Sequence, residues 1–410
     1  MGLKTQTLVQ CLIECAECDS YRSGTRTDRW HVKADQKLLN KVGGLSQLLI
    51  QAKELERIAG ISGKISVEWT ELHRNIKKII VSPEAIPLLC QAEKVEDPRE
   101  RQKSQILLVE NWKAEAKEIP WLLSYYTYIL ERLLKGEQVK NVPGLRDPQF
   151  FLFLNKAASI RTPIYRRVFS AQTCAEWKGR TDATITPTKR FEILYQTPVL
   201  SVLKQYSPFY EEGMADEEIL AAHGILTYAQ TLEFKGALEY QIEGGSVLDT
   251  DAMKYGTIFN SQTLEMAVPV NLKKIHRIMT IENKANYEKM DFDPKTLYIY
   301  CHGFLSPAER KFLSALVLLA APDTAYFHWG DMDYGGIRIF LFLQKRLFPD
   351  VQPWKMDPEH YKWALEKGAG IPLEAGKREK LEKLDAGMLT PLKEQILEHG
   401  QEIEQELLLL

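Results

Sequence analysis

The sequence lacks several features that would place it in a special class of protein. No window of its 410 residues approaches 18 uninterrupted apolar residues, so a transmembrane helix is not expected. The six cysteines do not form the pattern of a disulfide framework, which fits a reducing compartment. The N-terminus has no charged-then-apolar signal with a small-residue cleavage site. We therefore expect a cytoplasmic protein with no membrane partner.

The chain also lacks an excess of charge of either sign. Its formal net charge of -2 at pH 7 gives no global indication of a nucleic-acid partner. A content of 45% hydrophobic and 26% charged residues is ordinary for a globular protein. The length predicts two or three domains and allows a sizeable core.

Three cysteines near the N-terminus allow two interpretations. Cys11, Cys15 and Cys18 have the C-x3-C-x2-C spacing of radical enzymes that ligate an iron–sulfur cluster. The same positions share one face of a helix with Leu8 and Leu12, where a free cysteine acts as a small apolar residue. No repeated strand–helix pattern of a cluster-binding barrel follows, and this favours the helical interpretation.

Positive charge is concentrated in one stretch of the chain. Between residues 151 and 204, nine basic residues stand against three acidic ones, and Tyr165, Phe169, Trp177 and Phe191 lie among them. This mixture suits phosphate contact and stacking, although a solvated basic face is the alternative. The residues that we expect to contact DNA here are Arg166, Arg167, Lys189 and Arg190.

The spacing of apolar residues divides the chain into three regions. The first, to about residue 150, has helical spacing with charged outer faces, typical of an arm or a spacer. The second, to about residue 270, reads as a helix, alternating strand segments and turns at Gly236, Gly244 and Gly245. That order is expected of a small winged-helix unit.

The third region alternates strands with helices. Strands are predicted at 275–283, 296–303 and 324–331, and helices at 284–290, 306–320 and 334–348. The strand runs are nearly continuously apolar, as a parallel sheet covered on both faces requires. Ser306 followed by Pro307, with Glu309 beyond, predicts a capped helix start.

Acidic side chains follow two of these predicted strands. Glu282 lies at the carboxyl end of the first strand, and Asp331 and Asp333 lie at that of the third. Because the carboxyl ends of parallel strands share one edge, we expect the three carboxylates to converge there. Hard oxygen ligands suit one or two Mg²⁺ or Mn²⁺ ions, which could polarise a phosphate and activate a water. A lone D-x-D pair could equally cap a helix.

Two more polar residues lie beside the same edge. Asn283 could orient Glu282 or contact a DNA phosphate, although the first turn of a helix equally favours asparagine. His302 could contact DNA or transfer a proton, although a lone histidine is commonly packed or solvated. His328, within the third strand, is predicted to be a core residue.

Residues 277–348 resemble a Toprim domain, the metal-binding fold of topoisomerases, bacterial primases and certain nucleases. Within that group, "TIENKANY", "YCHGFLSPAERKFL" and "HWGDMDYGGIRIF" are similar to the JetD family, the nuclease subunits of Wadjet plasmid-defence systems. The C-terminal domain of that family is related to the cleaving subunit of topoisomerase VI. "TKRFE" at 188–192 and "EIEQELLL" at 402–409 also resemble the family.

The resemblance implies a multidomain α/β protein. Its parts would be a helical N-terminal arm (1–185), a winged-helix (CAP-like) DNA-binding domain (186–272) and a catalytic Toprim domain with a parallel βαβ sheet and a C-terminal helical tail (273–410). It implies a Mg²⁺- or Mn²⁺-dependent endonuclease that cleaves double-stranded plasmid or other foreign DNA. Glu282, Asp331 and Asp333 would be its catalytic metal ligands. An SMC–kleisin–KITE complex and a second copy of the chain would be its partners.

Two other functions remain open from the sequence. A topoisomerase VI-like or recombination-initiating enzyme would cleave DNA with a tyrosine, and Tyr165 in "PIYRRVF" superficially resembles that context. The resemblance to the nuclease family favours a structural or phosphate-contacting Tyr165. A non-catalytic DNA-binding adaptor would be expected to have lost a carboxylate, and all three are present.

Overall fold

The computed structural model describes residues 5–58, 60–70, 75–116, 118–180, 183–272 and 274–409. The chain forms two compact units. Unit 1 consists of residues 1–159 and 176–181, and unit 2 consists of residues 160–175 and 182–410. The domain limits expected from the sequence, after residues 185 and 272, stay a prediction.

Unit 1 is mainly helical, as the apolar spacing predicted, but it also contains an antiparallel sheet in the strand order β1-β3-β2. Pro98 and Pro120 stand at the starts of its two longest helices, where a missing N–H costs nothing. The elements are α1 (Leu8–Glu14), α2 (Asp19–Arg22), β1 (Trp30–Lys33), α3 (Gln36–Val42), α4 (Leu45–Leu55), β2 (Ile65–Trp69), β3 (Ile76–Val81), α5 (Ile86–Glu93), α6 (Pro98–Glu115), α7 (Pro120–Leu134) and α8 (Gln149–Ala158).

The N-terminal cysteines support the helical interpretation of their spacing. Cys11 is buried in the core of unit 1 beside Leu8 and Leu12. Cys15 lies at the C-terminal cap of α1, with its Sγ 3.6 Å from the Cys11 carbonyl oxygen, and Cys18 precedes α2. Within the described ranges, no three metal-ligating side chains, these sulfurs included, are grouped to hold one ion.

Unit 2 contains helices and several sheets, which confirms a mixed α/β architecture. Its elements are β4 (Ile164–Tyr165), α9 (Arg166–Glu176), α10 (Pro187–Arg190), α11 (Gln196–Tyr206), α12 (Asp216–Ala222), β5 (Ile225–Leu226), β6 (Leu232–Lys235), β7 (Glu239–Ile242), β8 (Leu248–Asp249), β9 (Thr257–Phe259), α13 (Ser261–Met266), β10 (Ala267–Asn271), β11 (Arg277–Ile281), α14 (Lys284–Lys289), β12 (Thr296–Tyr300), α15 (Pro307–Val317), β13 (Ala325–Trp329), α16 (Tyr334–Arg346), β14 (Gln352–Pro353), α17 (Pro358–Glu366), β15 (Ile371–Pro372), α18 (Ala375–Lys383), α19 (Thr390–His399) and β16 (Gln401–Glu402).

A six-stranded sheet in the order β14-β13-β11-β12-β6-β9 forms the centre of unit 2. The three predicted strands are its middle, and β11 runs parallel to both β12 and β13. Ile281 is in register with Tyr300 on one side and Trp329 on the other, so the three strands end at the same level. The parallel strands predicted from the sequence are therefore confirmed, with their carboxyl ends on one edge.

The strands of the second region divide between two sheets. β6 pairs antiparallel with β12 in the large sheet, whereas β7 pairs with β8 and β10 in a separate three-stranded sheet. Gly244, with φ of 71°, lies in the predicted turn between β7 and β8. Alternation of apolar residues reveals a strand but not its partner, which is why the sequence placed all these strands in one small unit.

A reciprocal hydrogen-bond cap marks the start of α15, the helix that follows β12. The Ser306 side chain accepts a hydrogen bond from the Glu309 N–H (3.3 Å), and Glu309 Oε2 accepts one from the Ser306 N–H (2.8 Å), as the sequence predicted. His328 is fully buried on β13, which confirms its prediction as a core residue.

No helix in the described part of the chain is long and apolar enough to cross a bilayer.

Candidate functional site

Glu282 and Asp331 are neighbours at the carboxyl edge of the central sheet. Glu282 follows β11, and its N–H donates to the Trp329 carbonyl oxygen at 2.9 Å. The Asp331 N–H donates to Glu282 Oε2 at 3.3 Å. Burial raises the pKa of Glu282 to about 8, and the charge of Asp331 adds to the effect. The ends of two adjacent strands thus bring together two of the predicted residues.

The Asp331 carboxyl is also held in an unfavourable setting for its charge. Burial raises its pKa to about 6, while a hydrogen bond from the Gln405 N–H acts in the opposite direction. The negative charge of Asp333 raises it further. Two adjacent carboxyls whose charged forms are disfavoured by burial and by mutual repulsion could be stabilised by a shared cation.

Asp333 lies next to this pair and starts helix α16. Its Oδ1 accepts a hydrogen bond from the Gly336 N–H at 2.7 Å, so it does cap a helix, as the alternative interpretation of the D-x-D pair held. Its Oδ2 is 3.5 Å from Lys377 Nζ, which is also 2.8 Å from Glu402 Oε2. The negative charge of Asp333 also acts on Glu282 and Asp331 and raises the pKa of both carboxyls.

Two glycines keep the acidic turn open. A Cβ on Gly330 would lie 2.6 Å from Glu282 Oε2 and 2.8 Å from His328 Nε2. A Cβ on Gly336 would lie 2.1 Å from the Asp331 carbonyl oxygen, well inside van der Waals contact. Glycine at these positions therefore allows the Glu282 carboxylate and the turn before α16 to occupy the places that they have.

The donor set at this edge fits a hard divalent cation. Glu282 and Asp331 supply carboxylate oxygens that are partly buried. Beside them, Nε2 of the fully buried His328 has no hydrogen-bond partner among the described residues. Mg²⁺ and Mn²⁺ prefer such oxygen ligands. As the side chains stand, however, no group of three or more His, Cys, Asp or Glu residues in the described ranges is arranged to hold one ion.

Asn283 and His302 both lie at this edge with their side chains engaged. Asn283 Oδ1 caps α14 by accepting from the Ala285 N–H at 2.8 Å, and its Nδ2 donates to Glu406. His302 Nε2 is 3.1 Å from Glu309 Oε1, and this hydrogen bond raises the pKa of His302. The His302 side chain is 41% exposed, so it can still meet a phosphate.

The four basic residues predicted to contact DNA differ in exposure. Arg167 on α9 and Lys189 on α10 are exposed. Arg166 is 17% exposed and pairs with Glu192 at 3.1 Å. Arg190 is buried, and its guanidinium donates to the Ile185 carbonyl oxygen at 3.2 Å. In this arrangement, Arg167 and Lys189 are accessible to a phosphate and Arg190 is not.

Tyr165 lies on the short strand β4, which pairs in parallel with β5. Its side chain is 47% exposed. An exposed phenol is accessible to nucleic acid, but exposure alone does not distinguish a nucleophile from a surface residue.

Sequence reasoning missed three residues that organise the site. Gln405 bonds to Asp331, and Lys377 stands between Asp333 and Glu402. Glu218 on α12 accepts hydrogen bonds from the Phe304 N–H (2.9 Å) and the Ala215 N–H (2.7 Å), which ties the loop after β12 to α12. Of the three, only Gln405 could have been found from the sequence, because it lies in the "EIEQELLL" stretch that resembles the JetD family.

Comparison with known proteins bears on this edge directly. Residues 246–410 match a family model described as the C-terminal part of Wadjet protein JetD. Wadjet protein JetD of Bacillus cereus (strain Q1) is 24% identical over 358 residues, which cover 84% of this chain and 82% of the relative. The chain is a relative of the Wadjet JetD proteins. The family match contains Glu282, Asp331, Asp333 and Gln405, whereas the basic stretch at 151–204 lies outside it.

Proposed function

We propose that this protein is a metal-dependent DNA endonuclease that acts in a Wadjet-type defence system against plasmids. One observation carries the proposal. Glu282 and Asp331 are desolvated and adjacent, with Asp333 beside them, at the carboxyl edge of three parallel strands. That edge lies in the segment that matches the JetD family. We infer that this segment is a Toprim domain.

The three carboxylates would hold one or two Mg²⁺ or Mn²⁺ ions. When bound, such an ion would polarise a phosphate and lower the pKa of a water. Other residues of the chain provide space and positive charge at this edge of the sheet. Gly330 leaves space beside the Glu282 carboxylate. Lys377 places an ammonium next to Asp333, and the hydrogen bond to Glu309 favours the protonated, cationic form of His302, which suits contact with a phosphate.

Double-stranded DNA is the proposed substrate, and the exposed basic residues of α9 and α10 are its proposed contacts. Residues 186–272 are the proposed winged-helix DNA-binding domain. The protein works in the cytoplasm with an SMC–kleisin–KITE type complex. A homodimer supplies two active sites related by a two-fold axis, the simplest way to cut both strands of a duplex.

The chemistry of the cut ends tests this proposal. Purified protein is incubated with supercoiled plasmid in Mn²⁺ or in EDTA, and the DNA is then denatured and examined for attached protein. We expect cleavage in Mn²⁺ alone, with free DNA ends, because water is the nucleophile. Tyr165→Phe should retain cleavage, since its phenol oxygen forms no bond to phosphorus. DNA linked to Tyr165 would contradict the proposal and favour a topoisomerase-like enzyme. Cleavage in EDTA would contradict the proposed metal dependence.

A further inference from the structure

Gln405, in the C-terminal segment, joins the ends of two strands of the central sheet. It is 1% exposed, and its backbone N–H donates to Asp331 Oδ1 at 2.7 Å. Its side-chain Nε2 donates to the Trp329 carbonyl oxygen (3.2 Å), and its Oε1 accepts from the Asn283 N–H (2.8 Å). One buried side chain thus bridges the residues that follow β11 and the residue that ends β13.

Further contacts hold the segment around Gln405 in place. Asn286, fully buried on α14, donates through Nδ2 to the Gln405 carbonyl oxygen at 2.9 Å. Met332 and Ile403 exchange two backbone hydrogen bonds of 2.9 and 3.2 Å. Because Met332 stands between the two aspartates, the C-terminal segment is paired directly with the D-x-D turn.

These contacts act on the spacing and direction of the two carboxylates. Glu282 follows β11 and Asp331 follows β13. A bridge between the two strand ends therefore restrains the distance between the Cα atoms of Glu282 and Asp331. The Gln405 N–H holds Oδ1 of Asp331 in one direction, and Oδ2 makes no hydrogen bond that the described residues show. Partners of this kind orient metal-ligating carboxylates in metal sites generally.

We propose that Gln405 is a positioning residue for the carboxylates of the sheet edge. It contacts no reacting atom. It acts through Asp331, through the backbone of Asn283 after Glu282, and through the backbone of Trp329 before Asp331. This inference rests on the proposed metal-dependent function and assigns part of it to the C-terminal segment.

The test compares Gln405→Ala with wild type in the full-length protein. MnCl₂ is titrated while the melting temperature is followed, and plasmid cleavage is measured separately. Gln405→Ala keeps the backbone N–H that bonds to Asp331 but removes the side-chain bridge between Trp329 and Asn283. Because that bridge supports both strand ends, we expect the Mn²⁺ concentration at half-maximal stabilisation to rise roughly ten-fold. The kcat for cleavage should fall while KM for plasmid stays unchanged. Among the described residues, Gln405 contacts no residue of the basic stretch, and it contacts Asn283 only through the backbone N–H, so the Asn283 side chain keeps its own hydrogen bond to α14.

Two controls separate positioning from a general loss of structure. Gln395→Ala removes a side chain of the same type on α19 whose Nε2 donates only to Glu398 among the described contacts, and it should leave the Mn²⁺ midpoint unchanged. Asn286→Ala removes the hydrogen bond to the Gln405 carbonyl oxygen, a second support of the same residue, and should shift the midpoint in the same direction. Because both substitutions loosen the same residue, the double variant should shift the midpoint by less than the product of the two single changes.

A measurement without metal tests the positioning role of Gln405 independently of the proposed nuclease function. In EDTA, hydrogen–deuterium exchange across residues 329–334 should be faster in Gln405→Ala than in wild type. A variant with wild-type exchange and a Mn²⁺ midpoint within two-fold of wild type would overturn the positioning role alone. A wild-type protein that shows neither stabilisation nor cleavage with Mn²⁺ would overturn the proposed function and this inference with it.

Discussion

At the scale of single residues, the pKa of the Glu282 carboxyl is shifted further from its ordinary value than that of Asp331. Burial, followed by the charge of Asp331, raises its pKa to about 8. In the unfolded chain a glutamate titrates near its ordinary value of about 4.3. Between these two values the folded protein holds a proton that the unfolded chain has released. Folding is therefore progressively penalised as the pH rises through this window in the absence of a cation.

The pH dependence of stability tests this state of Glu282. In EDTA, the free energy of unfolding of wild type should fall between about pH 5 and pH 8. Glu282→Gln removes the titrating group, so it should flatten this fall and make the protein more stable at pH 8 by at most about 4 kcal/mol. Chemical denaturation at several pH values measures both effects. The matched control is Glu288→Gln, an exposed carboxylate on α14, which should keep the wild-type slope. Equal slopes in wild type and Glu282→Gln would show that the carboxyl is not desolvated.

At the scale of elements, the turn from β13 into α16 explains the double glycine of "DMDYGG". Gly335 has only the Asp333 carboxylate near the place of a Cβ, at 3.3 Å. Gly336 instead faces the Asp331 carbonyl oxygen, where a Cβ would come to 2.1 Å. A larger side chain is therefore better tolerated at position 335 than at position 336. The tight turn requires glycine at position 336.

Alanine substitutions test the close approach at Gly336. Gly336→Ala should destabilise the protein by at least about 2 kcal/mol, because the backbone of Asp331 must move. Gly376→Ala on α18, where a Cβ meets nothing within 4 Å, should instead stabilise it by about 0.5–1 kcal/mol through reduced chain entropy. Urea denaturation of both variants measures the difference. Similar stabilities for the two variants would be incompatible with the geometry of the turn.

The same elements show which features of the fold and the site could be predicted from the sequence. The strands around Glu282 and Asp331 and the cap at Ser306 were predictable, because local patterns determine them: continuous apolar runs, and a serine before a proline. The placement of Gln405 depends on a contact across 74 residues of sequence, and no local pattern encodes such a distance. The burial of Arg190 was missed for a similar reason. A basic stretch shows that charges are present, but only tertiary packing determines which of them face solvent.

At the scale of the whole molecule, DNA binding should depend on the exposed members of the basic stretch. Replacing Arg167 and Lys189 with glutamine should weaken plasmid binding and make its log–log salt dependence shallower by about two units, since each contact releases about one counterion. Fluorescence anisotropy at several salt concentrations measures this slope. Glutamine at two exposed lysines outside the stretch, Lys367 and Lys383, provides the control and should leave it unchanged. If both pairs gave the wild-type slope, the basic stretch would be a solvated surface.

Cleavage of plasmid DNA by Asp331→Asn tests the central claim most directly. Asparagine keeps the size of the side chain and an oxygen for the Gln405 N–H, but it removes the charge that a divalent ion requires. The variant should stay folded and show no Mn²⁺-dependent cleavage. Asp323→Asn, at an exposed aspartate before β13, should cleave like wild type. Wild-type cleavage by folded Asp331→Asn would contradict the assignment of the metal-dependent active site to this edge of the sheet.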